Sequence, residues 1–354
     1  MSIFEKKLTV YPTYGYRAGG DGDEWRIPMR AWVRNETPLP PDAVIRLCVD
    51  DAGDLNERTL LRLKECLRDF VAKDNKGERV RFRFRNDPAD ETFAFRGKTD
   101  DNGLVVEEFT LPAERARQLL AAQGAGGEHG RLALAAETNG LSGRAESATA
   151  VRLVAPEGLT VVSDIDDTIK VTEIPAGKRT ALRRAFLMDY EATEGMRDRY
   201  LKVLERHPQF DNVAFHYVSG SPWQLFRLLH DFLVTATGFP EGASHMKSVN
   251  VNLADFAASF RDINNLLAGS EHTEHQKRAD ISTVIERFPR RKFILVGDSG
   301  ERDPEVFGWL KGQFPDRVLK IYIRDVSELG DTHERLKDML RIDTHGVCLQ
   351  EEGG

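Results

Sequence analysis

The chain has 354 residues, 40% of them hydrophobic and 30% charged, which is enough material for two packed domains. A formal net charge of −7 excludes the basic footprint of a nucleic-acid binder at the level of the whole chain. Cys48, Cys66 and Cys348 show neither metal-binding spacing nor even pairing, as expected of free thiols in a reducing compartment. The opening MSIFEKKLTV has no apolar core after its charges, and no apolar run approaches the roughly 18 residues of a membrane span. The expectation is a cytoplasmic protein whose membrane contact, where it occurs, is peripheral.

Taken in order, the first stretch alternates. Trp25, Ile27, Met29, Ala31 and Val33 share one face of a period-2 pattern, and Leu8 and Val10 suggest a strand before it. Asn35 to Pro41 is turn chemistry. Leu60, Leu63, Leu67 and Phe70 recur at helical spacing, with Asp54 or Asn56 as the cap, and Lys73 to Gly77 closes that helix. Val80, Phe82 and Phe84 alternate with Arg81, Arg83 and Arg85; Phe93 and Phe95 mark another strand. Asp101-Asn102-Gly103 is a turn leading into Leu104 to Phe109. Pro112 to Ala122 reads as a short helix, Gly124 to Gly130 as a loop, and Leu132 to Leu134 and Val151 to Val154 as the last strands. Residues 1–155 therefore predict a mostly antiparallel, β-sandwich-like domain with one inserted helix. Its arginine-fringed strand reads most simply as a solvated face.

Past Pro156-Glu157-Gly158 the pattern changes. Val161-Val162, Val213 to Val218, Phe293 to Val296 and Val318 to Ile323 are apolar strand runs. Helical candidates lie between them: Lys178 to Met188, Met196 to Arg206, Pro222 to Leu233, Arg278 to Phe288 and Pro304 to Gly312. Such alternation predicts an α/β domain, residues 156–345, with a parallel sheet covered on both faces. Three of these strands end in reactive residues: Asp164-Ile165-Asp166-Asp167-Thr168, then Ser219-Gly220-Ser221, then Gly297-Asp298-Ser299-Gly300 with Asp303 beyond. The C-terminal ends of parallel strands converge on one crevice, so the three clusters are expected to meet although they are far apart in sequence.

Several carboxylates at one point repel, so a divalent cation is expected among them, and all-oxygen ligands select Mg²⁺. A carboxylate also serves as a nucleophile, and a second one two residues on can protonate a leaving alkoxide and then activate water. The Ser219 hydroxyl, with the small residues beside it, suits phosphate oxygens. A lysine completes such a set; Lys277, before the third strand, is one candidate and Lys247 its rival.

DIDDT, a strand ending in Ser219, a lysine before a helix, and GDSGERD resemble the four ordered motifs of haloacid-dehalogenase-superfamily phosphatases. More narrowly, VVSDIDDTIKVT, Gly195-Met196, HYVSGSPWQLF, Gly238-Phe239-Pro240 and FPRRKFILVGDSGERDPEVF resemble the catalytic domain of the actin-patch-protein phosphatidate phosphatase family. The resemblance implies a Rossmann-like domain and the following roles. Asp164 is nucleophile and metal ligand. Asp166 is general acid and base, with its backbone carbonyl on the metal, and Thr168 steadies it. Ser219 and Gly220 bind phosphate together with Lys277. Asp298 is a metal ligand, and Asp303 orients Lys277 or a metal-bound water. Asp167 receives no role and is expected to be solvated. The implied reaction is Mg²⁺-dependent hydrolysis of a phosphomonoester through a phospho-aspartate, with phosphatidate at a membrane surface as substrate and diacylglycerol as product. A soluble phosphoester or phosphoprotein as substrate, and a non-catalytic scaffold, remain the alternatives.

Two insertions are candidates for substrate selection. Ile169 to Glu194 carries Lys178-Arg179 and Arg183-Arg184 beside Leu182, Phe186, Leu187 and Met188, and reads equally as a lipid-facing or a packed basic helix. Pro240 to His275 is polar, with Asn250, Asn252 and Arg261, and is expected to border the cleft or cap it. His272 and His275 read as solvated loop residues, and Trp223, Phe226 and Leu229 as core.

Overall fold

The computed structural model describes residues 5–18, 22–43, 45, 56–140, 143–177, 180–181, 183–206, 212–248 and 270–348. The chain divides into two units. One comprises Met1–Leu39, Arg68–Glu157 and Arg287–Arg290; the other comprises Pro40–Leu67, Gly158–Glu286 and Arg291–Gly354.

The first unit is mostly β. Its strands are β1 (Lys6–Val10), β2 (Thr13–Arg17), β3 (Glu24–Asn35), β4 (Lys73–Asp74), β5 (Val80–Phe84), β6 (Phe93–Ala94), β7 (Leu104–Pro112), β8 (Gly130–Gly140) and β9 (Gly143–Leu153). They form one hydrogen-bonded sheet in the order β1-β3-β2-β9-β8-β5-β6, with β4 and β7 paired to β3. Trp25, Ile27 and Met29 of β3 share a core with Phe82, Leu132, Leu134 and Val151 from the far part of the sheet. Phe109 reaches across to both Phe82 and Phe95, with ring centroids 5.0 Å apart in each case. The strand that joins the two parts is β2, antiparallel to β3 and parallel to β9. Its central three residues are all buried, so TYGYR has no alternation by which a period-2 pattern could announce it. The predicted turn is present: Gly103 has φ +66°, and Asp100 Oδ1 accepts from the amides of Asn102 and Leu104 at 2.9 Å. The helix Ala113–Ala122 follows β7; it is labelled α2 below, after α1 (Glu57–Phe70). At the start of α1, Asn56 Oδ1 accepts from the Thr59 amide at 3.0 Å, the expected cap. Asp54 lies outside the described residues.

The second unit is α/β. Its six strands are β10 (Glu157–Ser163), β11 (Val213–Pro222), β12 (Ala243–Lys247), β13 (Arg290–Asp298), β14 (Val318–Arg324) and β15 (Leu340–Ile342), in the order β12-β11-β10-β13-β14-β15. The pairs β10–β11, β11–β12, β13–β14 and β14–β15 are parallel. The crossovers carry α3 (Met196–Arg206), α4 (Phe226–His230), α5 (Ser270–Arg287) and α6 (Asp303–Gln313). From β10 the chain winds outward one way through β11 and β12. It then returns to β13 and winds the other way. The switch lies between β10 and β13, where a crevice opens at the strand ends.

Three expectations change here. The polar insertion after Pro240 opens with strand β12; Asn250, Asn252 and Arg261 lie outside the described residues. The helix expected over Pro222 to Leu233 is composite: a 3₁₀ turn (Trp223–Leu225), α4, and a π-helical turn (Asp231–Ala236). Between Ile169 and Glu194 the described helical pieces are short and include a 3₁₀ turn, Ile174–Ala176, and a π turn, Arg183–Leu187, with Ala185 and Phe186 buried. Lys178, Arg179 and Leu182 lie outside the described residues.

The central strands are fixed where they begin. Arg291 is fully buried, and its guanidinium donates to Thr160 Oγ1 at 2.8 Å and to the Asn212 carbonyl at 2.6 Å. Gly158 has φ +126°, and a Cβ there would lie 2.5 Å from the Asn212 oxygen and 2.8 Å from Arg291 Nη1. Gly158→Ala is therefore expected to cost about 1–3 kcal/mol, read as a lowered thermal midpoint. An unchanged midpoint would show that the entry to β10 adapts.

Candidate active site

Asp164 follows directly on β10, and its amide donates to the Val296 carbonyl at 2.9 Å, tying it to β13. Asp298 ends β13. Residue 297 must be glycine for α6 to come this close, since a Cβ would sit 2.4 Å from Asp303 Oδ2 and 2.7 Å from Phe307 Cε2. The switch of the sheet thus brings Asp164, Asp298 and Asp303 together. Their carboxylates offer oxygens within 4.8 Å of one another, and all three residues are buried.

Lys277 serves this cluster. Its Nζ lies 2.7 Å from Asp164 Oδ1, 2.6 Å from Asp303 Oδ1 and 3.3 Å from Glu301 Oε2. It sits well inside α5 rather than at its start. Burial alone would lower the affinity of Lys277 for its proton, but Asp164, Asp303, Glu301 and Asp298 together raise it well above the usual lysine range. The rival, Lys247, ends β12. No carboxylate is within ion-pair distance of it among the described residues, and burial lowers its pKa against the opposing charge of Glu301. Of the two lysines, Lys277 is the one that touches Asp164.

One lysine does not balance this much negative charge. Burial, with the charges of Asp303, Glu301 and Asp166, pushes the Asp164 carboxyl well above the ordinary range despite Lys277. Burial likewise pushes up Asp298, with Asp303, Asp164 and Glu301 adding to it. Two carboxylate oxygens, Asp164 Oδ2 and Asp298 Oδ2, are buried without a hydrogen-bond partner. Buried acceptors without a partner are costly unless something positive meets them. The donor set is all oxygen, and it fits a hard divalent cation.

Asp166 is held by a separate set of partners. Lys170 Nζ is 2.8 Å from its Oδ1, and Thr172 Oγ1 donates to the same oxygen at 2.9 Å. Ser219 Oγ and Ser221 Oγ donate to Oδ2 at 3.1 and 3.0 Å. Burial would raise this carboxyl, but Lys170, Thr172 and Ser221 outweigh it and hold the pKa at about 2. Gly220 lies between the two serines, where a Cβ would come 2.9 Å from Thr273 Cγ2.

Two neighbours depart from expectation. Thr168 is buried, its hydroxyl makes no hydrogen bond, and its carbonyl accepts from Thr193 Oγ1 at 2.8 Å. Thr172, not Thr168, is the threonine on Asp166. Asp167 is buried, not solvated. With φ +54° it turns its carboxylate under the following loop, accepting from the amides of Thr172 (2.8 Å), Glu173 and Ile174 (2.6 Å each). That loop carries Pro175 over the site; a Cβ on Gly300 would meet Pro175 Cγ at 2.8 Å.

Lys170, Thr172, Ser221 and Glu301 join the site without an assignment from the sequence. A lysine between Ile169 and Val171 is the one local signal for Lys170. Thr172 and Tyr190 lie against its ammonium, and the chain on either side pairs through the Val171 amide to the Glu191 carbonyl and the Thr193 amide to the Ile169 carbonyl. Helix α1 packs on this stretch from within the same unit. Arg62 stacks on the Tyr190 ring at 4.4 Å and donates to the Met188 carbonyl at 3.2 Å.

Known proteins share this stretch. Residues 159–325 match the family model described as the catalytic domain of phosphatidate phosphatase APP1. The chain is 36% identical over 173 residues to phosphatidate phosphatase APP1 of Saccharomyces cerevisiae, covering 48% of this chain and 26% of that protein. It is 32% identical over 175 residues to an uncharacterized protein of Schizosaccharomyces pombe, covering 48% of this chain and 25% of that one. The matched stretch is thus about a quarter of the length of either relative.

A divalent cation is expected to raise the thermal midpoint, with a stabilisation of about 2.7 kcal/mol at a hundredfold excess over Kd. In Asp298→Asn that shift should vanish. The same shift in both proteins would place the ion elsewhere.

Proposed function

We propose that this protein is a phosphatase that hydrolyses a phosphomonoester through a phospho-aspartate on Asp164, in a haloacid-dehalogenase-type domain over residues 156–345 that follows an N-terminal domain over 1–155. The observation that carries the reading is the meeting of Asp164, Lys277, Asp298 and Asp303 at the switch of a parallel sheet, with Asp166, Ser219 and Ser221 beside them. The family match over 159–325 supports phosphatidate as the substrate and diacylglycerol as the product. No helix among the described residues is long and apolar enough to cross a membrane. The proposed setting is the cytoplasm, with the substrate taken from a membrane surface.

In the first step an oxygen of Asp164 attacks phosphorus and the bond to the ester oxygen breaks. Asp166 takes the acidic proton that arrives on the monoprotonated phosphate group and passes it to the departing alkoxide, so the alcohol leaves neutral. In the second step water attacks the phosphorus of the acyl phosphate, Asp166 takes the proton, and inorganic phosphate leaves Asp164 as a carboxylate. Lys277 holds Asp164 in place and offsets charge on the transferring group. The hydroxyls of Ser219 and Ser221 are placed to turn from Asp166 to phosphate oxygens. Mg²⁺, held by Asp164, Asp298 and the Asp166 carbonyl with Asp303 behind them, would keep Asp164 ionised and neutralise phosphoryl charge.

Asp164→Asn is expected to abolish phosphate release while keeping the far-UV spectrum and thermal transition; full activity in that variant would sink the mechanism. Initial rates on phosphatidate in mixed micelles, compared with a panel of soluble phosphomonoesters with and without Mg²⁺, test the substrate. We expect at least about a tenfold preference for phosphatidate in kcat/KM, equivalent to about 1.4 kcal/mol. Equal or greater rates on a soluble ester would reassign the substrate and leave the chemistry standing.

A further inference from the structure

We propose that Lys170 is a positioning residue for Asp166, fixing one edge of its carboxylate so that the other edge meets the leaving group; the proposal rests on the phosphatase reading above. The two aspartates of the motif each have their own buried lysine, Lys277 on Asp164 and Lys170 on Asp166. Lys277 belongs to the expected phosphatase set. Lys170 does not.

The grip is closed on every side. Lys170 is 1% exposed. Its Nζ lies 2.8 Å from Asp166 Oδ1, donates to Thr172 Oγ1 at 2.6 Å, and sits 5.0 Å from the centre of the Tyr190 ring. Thr172 Oγ1 in turn donates to Asp166 Oδ1 at 2.9 Å. Lysine, threonine and carboxylate form a ring of three contacts, and two of them converge on a single oxygen. The backbone leaves no slack, because the Lys170 amide donates to the Ile165 carbonyl at 2.9 Å and the Asp167 amide to the Lys170 carbonyl at 2.7 Å. A carboxylate torsion is soft by itself. Two donors on Oδ1 set it.

The other edge is held differently. Oδ2 accepts from two hydroxyls, Ser219 and Ser221, whose hydrogens rotate freely about the C–O bond. When a phosphate group arrives, those hydrogens turn to its oxygens and Oδ2 is released. The Oδ1 grip persists, so Oδ2 keeps its direction. In ester cleavage the acidic proton of the monoprotonated phosphate group passes to the freed Oδ2, and from there to the ester oxygen as the P–O bond breaks. In the second step Oδ2 takes a proton from the attacking water.

A general acid matters only when the leaving group is poor. The test compares single-turnover release of dioctanoylglycerol from dioctanoyl phosphatidate with release of para-nitrophenol from its phosphate, whose leaving group needs no proton. Lys170→Met is expected to slow the first by about 30-fold or more and the second by less than about threefold, within the range of general acid catalysis. Thr172→Val, which removes no charge, should change the ratio in the same direction by about 3- to 10-fold. Lys170→Arg should recover part of the loss. Equal slowing of both esters, or of neither, would overturn the positioning role; if Lys170→Met loses its thermal transition, Thr172→Val decides. Turnover by the unsubstituted protein reports separately on the phosphatase reading, and its absence on both esters would overturn both proposals.

Discussion

The second unit is organised around buried negative charge. Asp164, Asp166, Asp298 and Asp303 are all buried at one end of the sheet, with Glu301 against Lys277 beside them. Two unit charges 4 Å apart at an effective dielectric near 20 interact by about 4 kcal/mol, so such a group cannot assemble without cations. Two lysines meet it, Lys277 from α5 on Asp164 and Lys170 from the loop after β10 on Asp166. Asp164 Oδ2 and Asp298 Oδ2 still lack partners, and that deficit makes the cluster a place for a cation rather than a plain salt-bridge network.

The fold meets this constraint through topology and small residues. The switch between β10 and β13 sets Asp164 against Asp298 with no loop between them. Gly297 then lets α6 approach closely enough for Asp303 to reach Lys277. Asp167 shows how local geometry supports the same end. A left-handed residue turns its carboxylate to gather three amides, which fixes the Thr172–Ile174 loop and places Thr172 on Asp166.

The two aspartates of the motif have different electrostatic settings although one residue separates them. Asp164 is pushed up by burial and by its carboxylate neighbours; Asp166 is held down, against its burial, by Lys170, Thr172 and Ser221. On the Asp166 side, Tyr190 lies against Lys170, and Arg62 of helix α1 stacks on Tyr190. The Arg62–Tyr190 stack and the Arg62 bond to the Met188 carbonyl join helix α1 to this stretch.

Much of this is legible in the sequence. Alternation locates β1, β3 and β5, and the long apolar runs locate β10, β11, β13 and β14, because burial on one face or two imprints its own period. Asp164, Ser219 and Asp298 can be named in advance because each closes an apolar strand, and parallel strands end together. Three things need the folded chain. Strand β2 is buried across its middle and has no period to read. The choice of Lys277 over Lys247 depends on which of two elements points at Asp164. The partners of Asp166 include Lys170, which lies against Tyr190, and Tyr190 is met by Arg62 of helix α1, a segment distant in sequence. A strand carries its pattern in consecutive residues, so sequence alone determines it. A buried charge is defined by what closes over it, and only tertiary structure decides that.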